Sequence, residues 1–230
     1  EKSPGATPEQ VREFAIEVVD DAVGAFGDGA SSLAADMYEG MAGLSGAKVK
    51  PAVIDTSDVH DHIESEVRYQ LGKFLSGNAA EFVKSCASKA ADQVARRANQ
   101  TMRLNAKRDG LRYARVPMGG ETCSFCAMLA SRGFVYKSAR SAGEGNHYHK
   151  NCRCKVIPGF DGLEVEGYDA DEWYARWQLM EEIQADKTLT WNERQFGKLL
   201  VSDGMSLEEW RAVRRSLEVD MSKVGSKGYK

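Results

Sequence analysis

Residues 78–110 read NAAEFVKSCASKAADQVARRANQTMRLNAKRDG. Asn78 with Glu81 three places on is an amino-terminal helix signal, and Asp109-Gly110 is a stop. Between them Phe82, Val83, Cys86, Ala87, Ala90, Ala91, Val94, Ala95, Ala98 and Met102 keep helical spacing, which predicts one long helix over 78–108. Its alanine-rich face permits close approach of another helix, while Lys84, Lys89 and a run of arginines and lysines make the remainder basic. Such a face is either solvated or the footprint of a polyanion, and without interleaved aromatic residues any nucleic-acid contact is electrostatic and blind to sequence. The candidates for that contact are Arg96, Arg97, Arg103, Lys107, Arg108, Arg112 and Arg115.

Charge changes on either side of this helix. Residues 1–66 hold 4 basic and 14 acidic side chains, residues 67–160 hold 17 and 5, and residues 161–230 hold 10 and 15, so a net charge of only -3 conceals a strongly basic middle. Either these parts meet one another or the middle faces a polyanion, and nucleic acid and an acidic protein patch are both open as partners. With 42% hydrophobic residues the chain of 230 can bury a core. Its mean hydropathy is -0.47 and no apolar run reaches the roughly 18 residues of a membrane span, which argues against a membrane partner. The start, Glu1-Lys-Ser-Pro-Gly5, carries neither an initiator Met nor the apolar core of a signal peptide and reads as a processed or partial form of a longer product.

Upstream of 78, Thr7-Pro8-Glu9-Gln10 places a capping residue, a first-turn proline and a box partner in order. Val11, Phe14, Ala15, Val18, Val19 and Ala22 form an apolar stripe, which Gly24, Gly27 and Gly29 are expected to end; a second, shorter helix is expected from Ser31 to Gly43. A connector from Gly43 to Ser57 leads to a third helix ending at Gly77. Downstream, Leu111–Val116, Phe134–Tyr136 and Cys154–Ile157 read as short strands, and Ser124 to Ser131 as one or two helical turns. Helices follow near 169–186, 190–201 and 206–219, the last two opened by Thr190-Trp-Asn-Glu193 and Ser206-Leu-Glu-Glu209. Trp173, Trp177, Trp191 and Trp210 are expected to pack them together. The reading is an α+β chain with a mainly helical part at 1–110, a small α/β module at 111–160 and an acidic helical part at 161–230.

Chemistry concentrates in the module. Cys123-Ser-Phe-Cys126 is followed some twenty residues later by His147-Tyr-His149-Lys-Asn-Cys152-Arg-Cys154. Two residues between cysteines let both thiolates reach one ion from a tight turn, so a CxxC and an HxxC can close a tetrahedral zinc site from Cys123, Cys126, His149 and Cys152. Cys154 or His147 can stand in for a member of that set. A structural zinc would staple a sheet too poor in core to stand alone. A catalytic zinc would need an open position and an acid, for which Glu144 is the carboxylate inside the loop. A redox role for the CxxC would call for a neighbouring βαβ pattern, which is missing. His60 and His62 lie in an acidic helix start and read as solvated surface residues.

The run from Arg115 through Cys123-Ser-Phe-Cys126 to Tyr136, and then His149-Lys-Asn-Cys152-Arg-Cys154-Lys-Val-Ile-Pro158, resembles the Mu F-like minor head proteins of tailed bacteriophages. The likeness is nearest to the versions in phages of actinobacteria that are often labelled capsid maturation protease. It covers residues 111–160, and it departs from the usual pattern at Lys150, where a proline is customary. It implies a structural, non-catalytic minor capsid protein of the virion, held in the capsid interior or by the portal. The partners it implies are the portal protein, the major capsid protein and packaged DNA, with self-association as an alternative use of the basic middle. A maturation protease using Cys152 or Cys126 with His149 is the competing implication.

Overall fold

A computed structural model describes residues 5–53, 60–118, 122–143 and 154–224. Helix dominates, beside a two-stranded antiparallel sheet, as an α+β reading requires. The chain divides into two compact units, Glu1–Tyr113 with Tyr136–Cys152 and Val156–Glu164, and Ala114–Val135 with Arg153–Lys155 and Val165–Lys230. Among the described residues no helix is long and apolar enough to cross a membrane.

The first unit is built from α1 (Pro8–Leu44), α2 (His60–Leu75) and α3 (Ala79–Arg108). Thr7 caps α1 as its sequence implies: the Gln10 N–H donates to Thr7 Oγ1 and the Thr7 N–H to Gln10 Oε1. Contrary to the expected break at Gly24–Gly29, α1 is a single helix of 37 residues. Each interior glycine costs about 1 kcal/mol relative to alanine, yet long packing against α3 outweighs it. Gly27 has a specific reason to be there. A Cβ at that position would fall inside the Arg97 side chain, 2.7 Å from Nη1. Arg97, only 6% exposed, crosses α1 at Gly27 and pairs with Asp28 at 3.1 Å. Val19, Val23, Ile63, Val67, Phe82 and Cys86 form the core between the three helices. Around it α2 and α3 are joined by two ion pairs, Glu66 of α2 with Lys89 of α3 and Lys73 of α2 with Glu81 of α3.

Asn78 caps α3 by accepting the Glu81 N–H, and the helix ends at Asp109 with Gly110 at φ 72°. Two polar clamps tie that end to α1 and its connector. Tyr38, fully buried, donates its hydroxyl to Asp109 Oδ2 at 2.8 Å. Asn105 accepts the Ala52 N–H and donates to the carbonyls of Ala52 and Thr101, each at 2.9 Å.

β1 (Tyr113–Val116) pairs with β2 (Lys155–Pro158). The strand expected at Phe134–Tyr136 is a single antiparallel bridge between Tyr113 and Tyr136, whose rings also pack together.

The second unit centres on α4 (Ser124–Ala130), α5 (Ala170–Ala185), α6 (Trp191–Ser202) and α7 (Leu207–Val224). Ala127, Ala130, Trp173, Met180, Ile183, Val201 and Trp210 make its core. The two capping boxes form as read, at Thr190/Glu193 and Ser206/Glu209. Trp191 departs from expectation: it is 67% exposed at the first position of α6 and packs nothing together. Its side chain leaves α6 on the side away from the core that Trp173 and Trp210 share and that Trp177 packs against.

Candidate functional site

The cysteine module begins with β1, four consecutive residues all buried. The chain then passes Thr122, whose backbone N–H donates to Ser202 Oγ at the end of α6 over 2.6 Å. Cys123 follows as the N-cap of α4, in extended backbone at φ -76° and ψ 159°. Its Sγ accepts the Cys126 N–H at 3.3 Å. Cys126 lies buried in the first turn of α4, and Ala127, Leu129 and Ala130 bury the rest of that short helix, the two alanines against α5. Tyr168 holds the far end by donating its hydroxyl to the Ala130 carbonyl at 2.6 Å. The CxxC is therefore fixed at both ends, on a helix whose small residues allow it to sit close to its neighbour.

Cys154 is buried beside the start of β2. His147, His149 and Cys152, and with them half of the expected ligand set, lie outside the described residues. Among the described residues no group of three His, Cys, Asp or Glu side chains is arranged to hold a metal ion. The fit of a zinc ion accordingly rests on the Cys123/Cys126 pair. The pair offers two sulfur donors two residues apart at a helix start, the donor type and spacing that zinc takes. Cys86, by contrast, is a buried thiol in a helical core, where burial pushes its pKa up and leaves it inert.

The basic candidates separate by burial. Arg97 packs on Gly27 and Arg115, at 2% exposure, lies inside β1, so neither guanidinium belongs to an open basic face. Arg103 is half-buried, whereas Arg96, Lys107, Arg108 and Arg112 are exposed. Periodicity alone places Arg97 with its neighbours on a basic surface; Asp28 and the glycine notch in α1 decide otherwise. His62 is exposed, in keeping with a surface role.

A groove of about 700 Å³ opens in the first unit, lined among others by Ser45, Lys48, Lys50, Arg108, Asp109 and Phe160. Local pattern did not reveal it, because it forms only where the end of α1 meets the end of α3. Its charge is mixed. Arg108 donates to both carboxylate oxygens of Asp109, at 2.7 and 2.9 Å, and this guanidinium, helped by the Tyr38 hydroxyl, holds the Asp109 carboxyl below the usual carboxylate range. Burial, with Asp109 beside it, pushes the Tyr38 phenol well up in turn. Because the folded carboxyl titrates below the unfolded one, its contribution is present above pH ~4 and fades as pH falls through the folded value. Acid titration of stability is expected to show this component in the native chain and to lack it in Asp109→Asn; an identical acid limb in both would exclude it.

The chain matches the "Gene 15 protein" of Mycobacterium phage L5 at 33% identity over 94 residues, covering 25% of this chain and 32% of that protein. It thus spans about a third of the length of the curated relative that it matches. No solved structure matches it. The family model described as VG15 protein matches residues 1–180, the helical first unit and the cysteine module included, and the chain is accordingly a phage protein that belongs to the VG15 protein family.

Proposed function

We propose that the chain is a virion component of a tailed phage, a Mu F-like minor capsid protein that acts structurally in head morphogenesis beside the portal and the major capsid protein. The observation that carries this reading is the seat of the CxxC: a doubly anchored helix start, with Cys123 half-buried, Cys126 buried and an N–H aimed at the Cys123 Sγ, suits a structural sulfur site. Cys123, Cys126, His149 and Cys152 are the residues that would hold zinc, with Cys154 and His147 as substitutes. Bound there, the ion would supply a crosslink between the CxxC and the His149–Cys152 segment, and no chemistry on a substrate.

The maturation-protease reading requires an accessible nucleophile. Cys126 is 3% exposed, which speaks against it in that role. The exposed Arg96, Lys107, Arg108 and Arg112 support a secondary contact with packaged DNA, through phosphates and without sequence preference.

Elemental analysis of the purified chain by plasma mass spectrometry, beside a thiol count before and after chelation, tests the site. About one zinc per chain, with thiols released on chelation, is expected. Metal-free protein with all five thiols equally reactive overturns the zinc site. Proteomics of purified particles tests the virion assignment independently: the chain is expected in low copy, and its absence from particles overturns that assignment whatever the zinc content.

A further inference from the structure

Helix α1 has two apolar faces, and the fold of the first unit uses one of them. Val19, Val23, Ala34, Ala35, Tyr38 and Ala42 are buried. On another side Phe14, Val18, Phe26, Leu33, Met37 and Leu44 are all exposed, Phe26 at 70% and Leu44 at 80%. Their intervals of four, eight, seven, four and seven residues are sums of threes and fours, so they follow one another along the helix in a row that winds about 120° round its axis from Phe14 to Leu44. The row is about 45 Å long at 1.5 Å per residue. A strip of that length and a helix's width is on the order of 450 Å² in outline, within the size at which exposed apolar patches on soluble proteins serve interfaces.

Two glycines lie on the same row. A Cβ at Gly29 or Gly40 would meet nothing within 4 Å. Gly27 is explained by Arg97, but no neighbour among the described residues explains these two, and each weakens an exposed helix interior. What they permit is the close approach of another backbone. The surroundings of the row are acidic: α1 carries eight Asp and Glu residues and a single basic one, Arg12. Glu17, Asp21, Asp36 and Glu39 are among them. Pairing of two copies of α1 would set these carboxylates against one another, whereas a basic-edged partner would neutralise them.

We propose that the outer face of α1 docks an amphipathic helix of another protein, apolar on one side and edged with lysine and arginine. The contact is independent of the zinc site and of the exposed basic residues of α3.

Two synthetic helical peptides sharing one leucine stripe, the first edged with lysine and arginine and the second with glutamate, are titrated onto the full chain by fluorescence anisotropy. The basic peptide binds and weakens with salt; the acidic one does not bind. Phe26→Ser combined with Leu33→Ser keeps all charges and the helical content, and weakens the basic peptide about tenfold or more. Gly29→Leu also weakens it while leaving thermal stability equal or higher, a combination that a purely structural glycine would not give. Unchanged binding by the variants, or equal binding of the two peptides, overturns the proposal. So does sedimentation showing a dimer of the native chain that Phe26→Ser and Leu33→Ser convert to monomer, since the occupant is then a second copy.

Discussion

Trp210→Ala lowers the stability of the second unit by about 3–5 kcal/mol, read as urea unfolding followed by tryptophan fluorescence. All four tryptophans lie between positions 173 and 210, so the signal reports this unit alone. Trp210 is 4% exposed and reaches into the core that Trp173, Met180, Ile183 and Val201 share. Its ring lies over α6 at Gly197, where an added Cβ would stand 2.6 Å from Cη2 and 2.9 Å from Cζ3. Glycine inside a helix is unfavourable by about 1 kcal/mol relative to alanine, so this close approach is what accounts for it. Gly197→Ala alone is therefore expected to destabilise by about 1–3 kcal/mol through overpacking. In the Trp210→Ala background the same change meets open space and regains helix propensity, so its sign reverses. A double-mutant cycle with a coupling of about 2 kcal/mol is the expected result. Additive costs would mean that ring and glycine are not in contact, and the packing described for α6 and α7 would fall.

The parts of this fold that were legible were those written in local chemistry. Thr7 with Gln10, Asn78 with Glu81, Thr190 with Glu193 and Ser206 with Glu209 each satisfy helix amides by side chains a few residues away, and each cap forms. The full length of the first helix is not legible, for the complementary reason. Gly24, Gly27 and Gly29 are poor helix residues in isolation, and what carries α1 through them is its packing on α3, seventy residues later in the chain. The same long-range pairing takes Arg97 off the basic face, because a notch at Gly27 and a carboxylate at Asp28 exist only once α1 lies on α3. At the candidate metal site the ligand types and spacing were legible, and Cys123 and Cys126 open the short helix α4. His147, His149 and Cys152 lie outside the described residues, so for them spacing remains the argument. The groove by Arg108 and Asp109 had no local signature at all, being made by the meeting of two helix ends.

Asn105 is the position where one side chain substitutes for missing secondary structure. After α1 the connector at Ala52 has no strand or helix to pair with, and Asn105, 2% exposed, supplies both an acceptor for its N–H and a donor for its carbonyl. Asn105→Ala leaves both backbone groups without their partner in a half-buried setting, where each costs about 1–3 kcal/mol when unsatisfied. The expected loss is about 2–4 kcal/mol in unfolding followed by circular dichroism, with faster amide exchange at Ala52 and no dependence on pH. Asn105→Asp separates the acceptor from the donor. An ionised carboxylate there keeps the bond from the Ala52 N–H but faces the carbonyl oxygens of Ala52 and Thr101, which repel it. Only the protonated acid, with one O–H and one C=O, imitates the amide. Its folded pKa is thus raised above the unfolded value of ~3.9, so the variant's stability is fully present below that value and is lost as pH rises through the raised one. Asn105→Asp should lie near the native chain in stability under acid and fall below Asn105→Ala at neutral pH. A penalty that is flat across this range would show that the connector is held by something other than the Asn105 amide.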